Sequence, residues 1–465
     1  MAQKTLAPLL EEAQKFTSPR QSQFRDSIVT SIYRTAEQIA GDVVSHTSTS
    51  RRDFDRQIDN IITSPVWGFP IMFGVLAVVF WITIAGANIP SGLLATGLFW
   101  IEARLTDLFM VLNAPDWLHG FLVLGVYRSL AWVIAVMLPP MAIFFPLFTL
   151  LEDLGYLPRV AFNLDRFFKK AGAHGKQALT MSMGFGCNAA GIIACRIIES
   201  PRERLIATLT NNFVPCNGRF PTLIALVSIF IAGSVSLSLS SAVATMAVAG
   251  LVVFGIAVTL SISWLLSKTI LRGKPSSFTL ELPPYRKPLV GQVLIRSVLD
   301  RTLFVLSRAV IIAAPAGGLI WILANTTIGS ATLLSIIAGW MDPLARLMGL
   351  DGFILLAFIL GLPANEIVLP ILIMSYVCGG AMTELSSLAD LRHLLVDQHG
   401  WTWLTALCTM TFSLCHWPCG TTLFTIQREQ HSWRWTLLAA LIPTAVGVIV
   451  CILINNLVRA AGLIV

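Results

Sequence analysis

The sequence predicts an all-α, polytopic membrane protein, and three observations carry that prediction. Of 465 residues only 12% are charged and 55% are hydrophobic, too little polar surface to hold a soluble domain in water. Apolar runs of about 20 residues, the length that crosses a ~30 Å hydrocarbon layer, recur along the chain. The runs are continuous rather than alternating, which excludes an outer-membrane barrel.

Taken in order, residues 1–62 read as a cytoplasmic helical segment. Phe24, Ile28, Ile32 and Ile39 keep roughly helical spacing there, and the stretch 45–50 interrupts it. No signal peptide is evident, since the chain stays polar and amphipathic for 60 residues. The first membrane half takes 63–267. A span covers about 65–87, and a helix at the interface covers 90–113, suggested by Trp100, Glu102, Arg104 and Asp107. A second span at 118–150 contains Pro139, Pro140 and Pro146. A re-entrant hairpin is expected at 176–199, then a broken span at 204–234, an external turn at 234–241 and a span at 242–267. A basic loop fills 268–302. The second half, 303–465, has a span at 303–325 and a second hairpin at 352–377. A polar stretch follows, holding Glu384, Asp390, Arg392, His393, Asp397 and His399. The last spans lie near 402–427 and 435–457.

Loop charge sets the sides. Residues 151–180 carry five Lys or Arg and 268–301 carry seven, whereas 88–119 and 326–351 carry one each. The positive-inside rule puts the first pair, and the N-terminus, in the cytoplasm and the second pair outside. The net charge is +7, yet the first 65 residues balance eight basic against eight acidic side chains. The surplus therefore belongs to the membrane part, where it reports loop orientation rather than nucleic-acid binding.

The two halves repeat. Asp165, Gly172, Gly175, Gly184 and Asn188 match Asp342, Gly349, Gly352, Gly361 and Asn365 at a constant offset of 177. Each copy is followed by a Pro-Cys break, Val214-Pro215-Cys216-Asn217-Gly218 and Trp417-Pro418-Cys419-Gly420. The segment before the first copy is cytoplasmic and that before the second external, so the copies are inverted. Inverted repeats with Gly/Pro-interrupted segments at matching positions are a transporter signature and point to a site at the midplane.

The breaks carry the chemistry. Irregular backbone at membrane depth is tolerated only where protein or a watery cavity covers it. Cys187, Cys216 and Cys419 sit there beside Asn188, Asn217 and Asn365, a soft-to-borderline donor set that suits Fe(II), Zn or Cu(I) better than Mg or Ca. Glu366 follows Asn365, and an ionisable group inside the membrane is a functional candidate by default. Glu152 and Asp153 are candidates for cation entry or exit, or else helix caps. His416 is a further ligand candidate whose bland reading is structural. No phosphate-cradling loop, Ser-His-Asp set or HExxH motif is readable, so nothing supports an enzyme.

The run Leu151–Phe162, Asp165-Arg166, His174-Gly-Lys176 and Gly184-Phe-Gly-Cys-Asn188 resembles the membrane region of the ferrous iron transport protein B (FeoB) family. So do Glu199-Ser200, Asn212-Phe213, Cys216, Arg219-Phe-Pro221, Leu299-Asp-Arg-Thr302, Ala314-Pro-Ala-Gly317, Gly361–Val368 and Pro418-Cys419. The resemblance implies two gate modules related to those of nucleoside transporters and Fe(II) uptake across a bacterial cytoplasmic membrane. It also implies an ion guided by the gate cysteines, here Cys187, Cys216 and Cys419. Family members usually begin with a GTP-binding domain, so the chain reads as a split form whose GTPase is a separate polypeptide or has been lost. A homo-oligomer stays open. Asn188-Ala189-Ala190 departs from the family's Asn-Val-Pro after the first gate cysteine. Three alternatives stay in view: a gate-fold transporter of another metal or a nucleoside, a gated channel, and a membrane scaffold or sensor.

Overall fold

The computed structural model describes residues 21–43, 50–64, 66–231, 237–273, 289–377 and 388–462, with 285, 380 and 382 between them. Of the expected turn at 234–241, residues 234–236 lie outside the described residues and 237–241 are instead the start of the helix Leu237–Lys268; Glu384 lies wholly outside them. The chain divides into a unit at 1–58 and a unit at 59–465. In the first unit the helix Gln21–Val43 leaves Ile28, Ile32 and Ile39 exposed.

In the second unit, six helices among the described residues are long and apolar enough to cross a membrane: Gly68–Val111, Asp116–Asp153, Pro201–Phe230, Met246–Lys268, Leu306–Asn325 and Trp433–Ala460. Among the described residues the architecture is all-α apart from one two-stranded turn, Thr327–Ile328 against Ala331–Thr332, closed by Gly329 at φ +68°.

Two further expectations change. The first span and the interface helix are a single helix, Gly68–Val111, 44 residues long with Pro90 inside it, or about 66 Å at 1.5 Å per residue. Of the residues that suggested an interface, Glu102 is instead paired with the next helix, while the exposed Arg104 and Asp107 pair with each other at 3.6 Å. Glu102 is 5% exposed and pairs with Arg128 at 2.5 and 2.9 Å, while Tyr127 Oη donates to Leu98 O at 2.9 Å. Likewise the end of the expected 268–302 loop is helical, because Val290–Arg296 and Ser297–Thr302 run on into Leu303–Asn325.

The hairpins stand where the repeat places them. Hairpin 1 comprises Gln177–Gly186 and Asn188–Ala194. Hairpin 2 comprises Gly352–Leu360 and Val368–Val377. Each follows a 15-residue amphipathic helix, Tyr156–Lys170 or Leu333–Leu347, and the two helices start 177 residues apart. Both hold the repeated aspartate in an i,i+4 ion pair, Asp165–Lys169 at 2.7 Å and Asp342–Arg346 at 2.5 Å. Both are followed by a left-handed glycine, Gly172 at φ +72° and Gly349 at φ +74°, a conformation that only glycine adopts without penalty. The hairpin tips share a backbone too: Cys187 has φ −154°, ψ 126° and Ala364 has φ −153°, ψ 129°.

At the first break, Pro215 lacks the N–H a helix needs. The chain passes from Pro201–Thr210 through extended Val214 and Cys216 to Phe220–Phe230. The second break separates Trp403–Cys415 from Gly420–Gln430, and Gly420 N donates to Leu362 O of hairpin 2 at 2.6 Å. Away from the breaks, one buried junction ties the end of helix Ser50–Ile62 to the helix before hairpin 1. Arg159, 1% exposed, donates to Asp59 at 2.9 and 3.1 Å. Tyr285 Oη donates to the same carboxylate at 2.8 Å, and its ring lies 4.0 Å under the guanidinium. Burial pushes the Asp59 carboxyl up, but the hydrogen bonds from Arg159 and Tyr285 outweigh it and hold the group below its usual value.

Candidate functional site

The hairpin tips and both breaks meet around one cavity. Its wall is built from Gly186, Cys187 and Asn188 of hairpin 1 and Cys216, Asn217 and Gly218 of the first break. Pro363, Ala364, Asn365 and Glu366 of hairpin 2 and Cys419 and Thr421 of the second break complete it. Met137 and Met141 close one side. The space is about 20 Å³, room for roughly one water or a bare ion. All seven residues singled out as ligands thus converge: Cys187, Cys216, Cys419, Asn188, Asn217, Asn365 and Glu366.

Their hydrogen bonds cross between repeats. Asn365 Nδ2 lies 3.7 Å from Cys216 Sγ, so hairpin 2 touches the first break. Cys419 Sγ stands 3.2 Å from Thr422 Oγ1. The Glu366 carboxylate rests against Gly218, where a Cβ would stand 2.2 Å from Oε1. Among the described residues no three His, Cys, Asp or Glu side chains are close enough to hold a metal ion as they stand.

The remaining candidates are placed differently. His416 is 1% exposed and lies behind the wall. Its Nδ1 donates to Ser413 O at 2.8 Å, and its Nε2 is 3.3 Å from Asn365 Oδ1, so it orients a cavity residue rather than entering the cavity. Glu152 and Asp153 are exposed at the end of Asp116–Asp153, and the fold does not bring them to the cavity.

Sequence reasoning missed three residues. Met137 and Met141 offer thioethers, soft donors that complement thiols; their i,i+4 spacing around Pro139-Pro140, which puts both on one helix face, was the available signal. Arg219, 1% exposed, is the third. Its Nη1 donates to Asn212 O at 2.8 Å and Leu414 O at 2.9 Å, and its Nη2 to Asn212 Oδ1 at 3.1 Å. Asn212 Nδ2 donates to His416 O at 2.6 Å. One cation thus gathers the carbonyl ends of both broken helices, where the helix dipole is negative. Its position right after Asn217-Gly218 was visible, but not its reach to the other repeat.

These features define a polytopic gate-fold membrane protein whose two modules share a sulfur-, amide- and carboxylate-lined centre. A family model described as "Gate: Nucleoside recognition" matches residues 134–230 and 306–433, which hold every cavity residue named above. A second, "Ferrous iron transport protein B C terminus", matches 248–300, and the two together cover more than half of the chain. Together these matches liken the chain to the membrane domain of the FeoB family. It is 28% identical over 418 residues to the Fe(2+) transporter FeoB of Staphylococcus aureus, covering 88% of this chain and 60% of that one. It is 29% identical over 408 residues to the Fe(2+) transporter FeoB of Synechocystis sp., covering 86% and 62%. It is 27% identical over 447 residues to the Fe(2+) transport protein A/Fe(2+) transporter FeoB fusion protein of Porphyromonas gingivalis, covering 86% and 51%. The chain thus spans less than two thirds of the length of each of these relatives.

Proposed function

We propose that the chain is the permease part of a ferrous iron uptake system. In this reading, two inverted gate repeats pass Fe(II) across a bacterial cytoplasmic membrane through the central cavity. The observation that carries the reading is the convergence on one small space of three thiols, three amides and the Glu366 carboxylate from all four gate elements, with two thioethers from the helix Asp116–Asp153. Fe(II) is a borderline cation that accepts such a mixed set. The ligands surround the space without closing on it, as conduction requires: an ion must bind well enough to enter and loosely enough to leave. The gate model's description raises a nucleoside as the rival cargo. A cavity of about 20 Å³ with no aromatic side chain in its wall fits one ion, whereas small-molecule sites span about 300–1,000 Å³.

The repeats are inverted in this reading, with the N-terminus in the cytoplasm, and the resemblance supplies the partner: a GTP-hydrolysing protein that drives or regulates uptake. The fused relative in Porphyromonas gingivalis adds a Fe(2+) transport protein A component as a second partner class. The test is Fe(II) flux into vesicles reconstituted with the protein, with Zn(II) and Mn(II) run beside it. Cys187→Ser and Cys419→Ser should each lower Fe(II) uptake, and the double variant more so. Equal uptake by wild type and double variant would remove the cavity from the pathway.

A further inference from the structure

Outside the cavity, hairpin 1 closes over a seam of polar side chains that the proposed site does not use. From the hairpin tip outward run Asn211, Thr180, Thr210, Gln177 and Ser263, each 0% exposed. Asn211 lies between the two arms, where a Cβ at Gly184 or Gly191 would come within 2.9 or 2.6 Å of its amide. Its Nδ2 donates to Asn188 O at 3.3 Å, and Asn188 lines the cavity, so the seam begins where the cavity ends. Further out, Gln177 Nε2 donates to Thr210 Oγ1 at 2.8 Å and lies 3.5 Å from Ser263 Oγ, while Ser263 Oγ donates to Thr210 at 3.3 Å. Two buried acceptors in the seam, Asn211 Oδ1 and Gln177 Oε1, have no hydrogen-bond partner among the described residues.

Hairpin 2 is the opposite. Ile354 and Ala357 occupy the positions of Gln177 and Thr180, and no residue of its first arm, Gly352–Leu360, has a polar side chain. Leu414 stands at the place in the second break that Asn211 takes in the first. Phe358 packs edge-on against Phe412 at 5.1 Å and lies 4.9 Å from His416.

We infer that the seam is the closed cytoplasmic limb of the ion path, and that hairpin 1 is the element that lifts to open it. Parting a polar seam trades protein hydrogen bonds for water at little net cost. Parting hairpin 2 would bare aliphatic and aromatic surface, which water resists. Polar side chains are retained at membrane depth where they line a path. Once wetted, Asn211, Thr210, Gln177 and Ser263 present oxygens to the partly hydrated cation leaving Asn188. The inference rests on the cavity being a cation site, and its test separates the two.

Full-length Gln177→Leu/Thr210→Val protein is compared with wild type for Fe(II) binding in detergent and Fe(II) uptake in vesicles. Binding should stay within about twofold while uptake falls about tenfold or more, as expected when an open state loses two hydrogen-bonding groups. The polar pair Gln177→Glu/Thr210→Ser should restore uptake. A second readout needs no variant. Cys195, 1% exposed at the outer end of hairpin 1 beside Thr180 and Thr208, should react faster with N-ethylmaleimide when Fe(II) is turning over. Cys408 and Cys451, both 0% exposed, should not. Unchanged uptake by the Leu/Val variant, or a Cys195 as protected as Cys408, would overturn the seam. Loss of Fe(II) binding from wild type would overturn the cavity instead.

Discussion

At Gly218 the lack of a side chain is what lets the Glu366 carboxylate stand in the cavity wall, because a Cβ would lie 2.2 Å from Oε1 and 2.9 Å from Oε2. Gly218→Ala should push the carboxylate aside and weaken Fe(II) binding about tenfold to a hundredfold, the usual cost of disturbing a ligand's support; isothermal titration of the folded variant measures it. His174, at the base of hairpin 1, makes a separate prediction. Burial holds its imidazole below the ordinary value, although Glu203 pulls the other way, and its Nδ1 accepts from Lys176 N at 3.0 Å. A lowered imidazole value means that the folded state binds fewer protons, so the stabilisation is present above about pH 6.5 and lost as pH falls through the lowered value. Hydrogen exchange at 174–182, corrected for its intrinsic rate, should quicken as pH is lowered from about 6.5 to 5.

Elements show the same dependence on neighbours. The helix Gly68–Val111 runs through Pro90 and past the apolar stretch because Arg128 and Tyr127 meet it side on. The charge of Glu102 was legible, but its partner Arg128 sits on a different helix, and a residue's environment does not follow from its own window. The junction at Asp59 is likewise a tertiary fact. Asp59→Asn strips Arg159, 1% exposed, of its counter-charge, and removing one partner of such a pair costs about 3 kcal/mol. Tyr285→Phe leaves the pair intact and costs about 1.5 kcal/mol. Thermal unfolding in detergent should rank the two in that order. The hairpins, by contrast, were readable to within a few residues. Glycines at fixed spacing, and prolines that cannot continue a helix, leave the backbone few alternatives.

At the scale of the whole molecule, duplication organises the site: two hairpins and two broken helices meet with their irregular segments together. The matched helix lengths, ion pairs and tip dihedrals are local echoes of the repeat. Inversion is the part that an experiment must supply. A cysteine placed at Lys170, which is exposed, should react with a membrane-impermeant maleimide only from the cytoplasmic side. One at Trp340, 84% exposed, should react only from outside. Labelling of both from one side would mean parallel repeats and a different transport cycle.

By itself the sequence determined that this is an α-helical membrane protein, where its backbone breaks, and which thiols, amides and carboxylate accompany the breaks. Those properties follow from hydropathy, Pro and Gly chemistry and spacing, all local to the chain. Only the tertiary structure decided that Met137 and Met141 join the cavity, that Arg219 fastens one broken helix to the other, that His416 stands behind the wall, and that Glu152 and Asp153 lie elsewhere. Each of these depends on which residues far apart in sequence come into contact, set by how helices pack, and helix packing depends on the shapes of both partners at once.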